Sequence, residues 1–214
     1  MFMFDSIIKK KTKTENLDDV RELTGTRAAI LACDGYEEVE LLGPKEALED
    51  VGVEVVVVSP KEGKIKGWNG ENWGGSLKVD MTVEAAFDEE FDFLVLPGGV
   101  INPDKLRNNP DAVAFVQHFV DSRRPIAAIC HGVQTLIETD FVRGKTLTSW
   151  SSLRTDLLNA GANWIDEEVV VDKWLITSRK PADLPAFCAV MIKEFIDYHI
   201  SHSLPNTESY VVTL

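Results

Sequence analysis

Four short and almost purely apolar runs constrain the fold most: residues 28–32 (AAILA), 53–58 (VEVVVV), 91–96 (FDFLVL) and 126–129 (IAAI). None shows the strict polar alternation of a strand with one face in water, so each reads as a strand buried on both faces. Between them the spacing turns helical. Val39, Leu42, Ala47 and Leu48 recur at helical intervals over residues 37–50, and Gly52 ends that stretch. Helices are predicted over 110–121, with Pro110 at the first turn, over 131–139, over 153–159 ahead of Gly161, and over 182–201. Residues 63–76 carry five glycines and two tryptophans and read as a loop or hairpin, with 77–79 adding a short strand. A further short strand is predicted at 146–148, and 169–171 and 174–177 flank a hairpin turn at Asp172-Lys173. Strands alternating with helices imply an α/β fold with a mostly parallel sheet covered on both faces. Ligands bind beyond the carboxyl ends of such strands, which directs attention to residues 33–40, 97–104, 130–132 and 149–152.

The formal net charge of −13 argues against nucleic acid or an anionic membrane as partner, since both select basic surfaces. No apolar run approaches the roughly 18 residues of a membrane span. The N-terminus places an apolar start before Lys9–Lys11, the reverse of a secretory signal, so a cytoplasmic location is expected. Three scattered cysteines are too few for a disulfide framework, and no pair of histidines has ligand spacing, so neither metal nor cofactor is expected. Residues 1–26 read as an N-terminal extension, 27–201 as one domain and 202–214 as a tail.

Chemistry concentrates at Cys130. The run Ala127-Ala128-Ile129-Cys130-His131-Gly132 is a strand, a nucleophile and a glycine opening a helix, the cysteine counterpart of a nucleophile elbow. The helix end and its free N–H groups are expected to pull the thiol below its ordinary titration range. A core cysteine ending a strand is the competing reading. Pro97-Gly98-Gly99 follows another strand, and Gly98 and Gly99 are candidate oxyanion donors. Glu37 and Glu40 stand at i, i+3 after the first strand, on one helix face, where one could point at the thiol. Acids at a helix N-terminus need no further reason than the dipole. His131 could reach Cys130 across the turn, whereas His118, His199 and His202 read as bland.

Taken in order, D-G-Y-E-E-V-E-L (34–41), L-P-G-G (96–99), A-I-C-H-G around Cys130, T-S-W (148–150) and the motifs over 160–184 resemble the PfpI intracellular protease family. That family lies in the superfamily named after PfpI and the parkinsonism-associated deglycase, and the likeness spans about residues 28–200. The resemblance implies a flavodoxin-like three-layer α/β/α sandwich with Cys130 as nucleophile, His131 beside it, Glu40 hydrogen-bonded to the sulfur and Glu37 near the pocket. It also implies an acidic residue from an adjoining subunit. The matching stretch 100–104 offers Asp104 where relatives carry a glutamate, so a homodimer or larger homo-oligomer is expected, a reading that the tryptophans of the 67–76 loop favour.

The function so implied is a cysteine-dependent hydrolase acting on a small carbonyl compound, glyoxalase- or deglycase-like. An intracellular cysteine peptidase or amidase acting on peptides is the alternative, and a redox sensor or chaperone with Cys33 as resolving thiol is the second. A class I glutamine amidotransferase shares the elbow but needs a late His-x-Glu pair that this chain lacks.

Overall fold

The computed structural model describes residues 23–203; the first 22 positions of the predicted extension and most of the predicted tail lie outside the described residues. Six strands run parallel in one sheet: β1 (Arg27–Leu31), β3 (Glu54–Ser59), β6 (Met81–Thr82), β7 (Phe93–Leu96), β8 (Ile126–Ile129) and β12 (Leu175–Ser178). An edge strand, β11 (Val169–Asp172), pairs antiparallel with β12 and completes the order β11-β12-β8-β7-β1-β3-β6.

The apolar runs divide by period two, as a strand's alternation requires. Ala29, Leu31, Leu94, Leu96 and Ala128 enter one core with Phe115 and Phe119, while Ala28, Ile30, Phe93, Val95 and Ile129 enter the other. The second core is closed by α1 (Glu38–Asp50), through Leu41 and Leu48, and by the C-terminal helix Leu184–Ser203, through Phe187, Met191 and Phe195. Phe93 and Phe195 stack with ring centroids 4.1 Å apart and planes 7° from parallel. The first core is closed by α2 (Val83–Ala86), α3 (Ile101–Arg107), α4 (Pro110–Asp121) and a 3₁₀ helix, Cys130–Thr139.

Several elements differ from the sequence reading. The 63–76 stretch is a hairpin, β4 (Lys64–Trp68) and β5 (Trp73–Lys78), joined by β2 (Tyr36–Glu37) into a separate small sheet, and β9 (Thr146–Leu147) pairs parallel with β10 (Asn163–Trp164) in a two-stranded one. Glu37 is thus extended, with φ −70° and ψ 119°, and does not share a helix face with Glu40. Pairing of β2 with β4 accounts for this, since it holds the backbone open until Glu38. Helix α3 is not legible in the sequence, because Ile101 and Leu106 are its only large apolar residues, five positions apart with Asn102-Pro103 between them. The edge hairpin turns at Lys173-Trp174 rather than at Asp172-Lys173: Asp172 still pairs with Leu175, and Lys173 takes the left-handed φ of 60°.

The chain runs from β1 outward to β3 and β6, then returns to β7 on the other side of β1. Strand order reverses there, so a crevice opens between the carboxyl ends of β1 and β7, with β8 beside it.

Candidate functional site

Three strand ends converge on this crevice. Cys130 follows β8 directly and has φ 61°, a left-handed conformation costly for any residue but glycine or asparagine. That strained turn lifts the sulfur above the sheet edge. Two glycines let the neighbouring loops close in. A Cβ on Gly132 would overlap the Leu96 carbonyl oxygen, and one on Gly98 would overlap the Glu40 carboxylate and lie 2.8 Å from Cys130 Cβ. A side chain at Gly132 would displace the end of β7, and one at Gly98 would displace Glu40 and the Cys130 turn. Asn102, buried at the start of α3, ties the ends of β1 and β7 together. Its Oδ1 accepts the Cys33 N–H (2.8 Å) and its Nδ2 donates to the carbonyl oxygens of Pro97 (2.9 Å) and Gly98 (3.3 Å). Sequence reasoning missed this residue; its signal was a polar side chain soon after a double glycine at a strand end.

Glu40, from the first turn of α1, is fully buried. Its Oε2 accepts the Gly98 N–H at 3.1 Å, while Oε1 has no partner within hydrogen-bond geometry although carboxyl and thiol lie close enough to perturb each other. Burial pushes the Glu40 carboxyl up to about 8, reinforced by the Glu37 charge and opposed by the thiol and the Gly98 and Gly99 N–H groups. Glu40 therefore holds its proton at neutral pH. Burial also pushes the Cys130 thiol up, and the adjacent Glu40 carboxyl adds to this, against N–H groups of His131 and Gly99 that favour the thiolate. The expected depression of the thiol is thus overturned: only 7% of Cys130 is exposed, and desolvation outweighs two backbone donors. Two acids sharing one enclosed space both rest in their neutral forms.

His131 Nδ1 lies 3.4 Å from the Cys130 sulfur, and Nε2 lies 3.3 Å from Ser152 Oγ. Burial lowers the imidazole from its ordinary value, so the ring is neutral and one nitrogen can accept a proton. The Trp150 ring packs on the imidazole, with centroids 6.1 Å apart, and the Trp150 backbone N–H donates to the Cys130 carbonyl at 3.2 Å.

The structure brings Cys130, His131, Glu40, Glu37 and Gly99 to one cavity of about 470 Å³, whose walls include Trp68 and Trp150. Gly98 lies beneath it, with its N–H engaged by Glu40 rather than open to an oxyanion, so the donors left near the sulfur are Gly99 and His131. Asp104 is not brought in. It is exposed in the first turn of α3, away from the cavity walls. Cys33 and Cys188 are free, buried thiols pushed up to about 12 by burial. Among the described residues no group of His, Cys, Asp and Glu could hold a metal ion.

Fold and site together define a flavodoxin-like α/β/α sandwich with a cysteine at a strained strand-to-helix elbow and a protonated glutamate beside it. Residues 26–194 match the DJ-1/PfpI family, and the chain belongs to that family. It is 41% identical over 162 residues to "Putative cysteine protease YraA" of Bacillus subtilis, covering 75% of this chain and 93% of that one. It is 43% identical over 163 residues to "Protein/nucleic acid deglycase 2" of Escherichia coli, covering 75% and 92%. Among solved structures it resembles a two-domain protein of Anabaena variabilis with DJ-1/ThiJ/PfpI-like and ferritin-like domains. There the TM-score is 0.75 at 39% identity, covering 86% of this chain and 51% of that one, so this chain spans about half of it.

Proposed function

We propose that the protein is a cysteine-dependent hydrolase acting on an electrophilic carbonyl, of the deglycase type. The observation that carries this is the Cys130 elbow with a proton acceptor on one side, His131 Nδ1, and a protonated carboxyl on the other, Glu40. Attack of the sulfur on a carbonyl carbon moves the C=O electron pair onto oxygen. The thiol proton passes to His131 and the Glu40 proton goes to that oxygen. When the C–N bond of the adduct breaks, the C=O re-forms with its proton returned to Glu40, and His131 gives its proton to the departing amine. Water then cleaves the C–S bond and restores the Cys130 thiol. The Gly99 and His131 N–H groups lie beside the sulfur and stabilise the charge that forms there.

The names of the relatives span deglycases and a putative cysteine protease. A cavity of about 470 Å³ suits a small carbonyl compound or one modified side chain better than an extended peptide. The redox-sensor reading is disfavoured by the burial of Cys130, since oxidation selects exposed thiolates. We place the protein in the cytoplasm on its free cysteines; among the described residues no helix is long and apolar enough to cross a membrane. We propose a homo-oligomer as well, in which Asp104 approaches the site of a neighbouring copy. Sedimentation equilibrium showing only monomer at micromolar concentration refutes both statements.

The test of function is a parallel assay of wild type and Cys130→Ser on methylglyoxal, a methylglyoxal-glycated amino acid and a fluorogenic peptide. Cysteine-dependent turnover of either of the first two supports the reading. Turnover of the peptide alone favours the peptidase, and no turnover on any refutes both.

A further inference from the structure

The T-S-W motif at 148–150 and the Asn163-Trp164 pair take no part in the proposed reaction, yet they converge behind His131. The loop after β9 is fixed from three sides. The Thr148 N–H donates to Thr177 Oγ1 on β12 at 3.0 Å, and the Trp150 N–H donates to the Cys130 carbonyl at 3.2 Å. Ser149 Oγ accepts the Nε1–H of Trp164 on β10 and donates to the Trp150 carbonyl, both at 2.9 Å. The loop then closes into a 3₁₀ turn, Ser151–Leu153. Two contacts on one imidazole result: the Trp150 ring covers its face, and Ser152 Oγ lies 3.3 Å from Nε2 while Nδ1 faces the Cys130 sulfur. Ser152 itself stands outside the cavity walls.

A neutral imidazole carries one N–H and one bare nitrogen, and the partner of the nitrogen that does not react decides which is which. For Nδ1 to receive the thiol proton, the ring proton must sit on Nε2 and be donated to Ser152 Oγ. A hydroxyl suits both stages of that transfer. It accepts from the neutral ring at rest, and more strongly once Nδ1 has taken the proton and the ring is charged. A carboxylate in the same place would favour the protonated ring in advance and fill the nitrogen that the thiol needs. The titratable groups that share the cavity with the ring are Cys130 on its own turn, Glu40 on α1 and Glu37 on β2. Val100 and Ile101 at the start of α3, and Pro181 after β12, line it without charge. Arg154, at the end of the loop, is turned over the Trp164 ring at 5.8 Å.

We propose that Ser152 is a positioning residue: by accepting the Nε2–H it fixes the tautomer of His131 that leaves Nδ1 bare for the Cys130 proton. The 148–153 loop is the clamp that holds it there. The role rests on the hydrolase reading, in which His131 receives that proton, and it acts through His131 alone.

Nitrogen NMR of the full chain with ring-labelled histidine, assigned with His131→Asn, reads the tautomer directly and needs no turnover. Above the titration of the ring, Nδ1 should show as a bare nitrogen and Nε2 as a protonated one, both in wild type and in Ser152→Thr. In Ser152→Ala the two signals should move toward the averaged positions of mixed tautomers. On a small dicarbonyl, Ser152→Ala should lose roughly tenfold in kcat, the worth of a charge-assisted hydrogen bond weakened by exposure to solvent. Its KM should stay within about twofold, because the serine does not line the cavity. The acid limb of its pH–rate profile should move down, since the imidazolium loses an acceptor, and that of Ser152→Asp should move up by about one pH unit or more. A ring proton found on Nδ1 in wild type, or a tautomer unchanged in Ser152→Ala, overturns the proposal. So does a threonine variant that fails to restore the wild-type signals. Tautomer shifts as expected without turnover of any substrate class by wild type refute the hydrolase reading only. Full kcat with an unmoved acid limb in Ser152→Ala refutes the positioning role only.

Discussion

Replacing Glu40 by glutamine removes a titrating group while keeping an acceptor for the Gly98 N–H. An acid raised from the ordinary 4.5 to about 8 binds its proton more tightly in the folded protein than in the unfolded chain. Stability from such a group is fully present below the unfolded value and is lost as pH rises through the folded one. Across pH 5–7 the loss approaches about 1.4 kcal/mol per pH step, or about 3 kcal/mol in all. Glutamine carries no such term, so the variant should gain about 3 kcal/mol relative to wild type between pH 5 and pH 7. Urea denaturation followed by circular dichroism at pH 5, 6, 7 and 8 measures the difference, in which titration of all remote groups cancels. Two stability curves that run parallel over this range would show that Glu40 is ionised in the fold, and the protonated-acid role would fall with it. In the same protein kcat/KM on a small dicarbonyl should drop by roughly 10²–10⁴-fold, the usual cost of a lost general acid.

Three further outcomes are expected. Protonating His131 removes the acceptor for the thiol proton, so kcat/KM should fall as pH drops through a value below the ordinary 6.5, read from the acid limb of a pH–rate profile. Gly98→Ala should abolish most activity with a smaller loss of thermal stability, because its Cβ meets the Glu40 carboxylate and Cys130 Cβ rather than the core; assays and melting curves on one preparation compare the two losses. Phe195→Ala removes a fully buried ring stacked on Phe93 and should cost roughly 3–5 kcal/mol by urea denaturation, with kcat/KM of the folded fraction unchanged.

Much of this architecture is legible in the sequence because burial on both faces leaves a direct trace. Residues 126–129 and 110–121 are readable to the residue, since a strand buried on both faces is apolar throughout and a helix buried on one face is apolar in a fixed period. The site was legible where chemistry and turn coincide, at Cys130 with Gly132 and at the double glycine. What escaped was set by long-range pairing. Glu37 looks helical by its neighbours and is extended because β4 pairs with it, more than 25 residues later. The thiol looks activated because a helix end is a local feature, whereas the burial that reverses the shift, and the Glu40 carboxyl that adds to it, come from the tertiary fold. Asn102 carried no periodic signal, since its role is to bridge two strand ends that only the sheet order makes neighbours.

The closeness that suppresses the thiolate at rest is also what makes the site usable. Gly98 and Gly132 let the backbone around Cys130 and Glu40 close in, and the burial of both side chains keeps them protonated. A thiol in that state is a poor nucleophile until its proton has a receiver. The same burial supplies one, because it lowers His131 and leaves an imidazole nitrogen neutral at 3.4 Å from the sulfur. In the proposed reaction, proton loss from Cys130 is coupled to bond formation with the carbonyl, and Glu40 holds the proton for the developing oxygen. Desolvation raises two acids and lowers one base in a single cavity, so the proposed acid, base and nucleophile all stand in the protonation states that the proposed attack on a carbonyl needs.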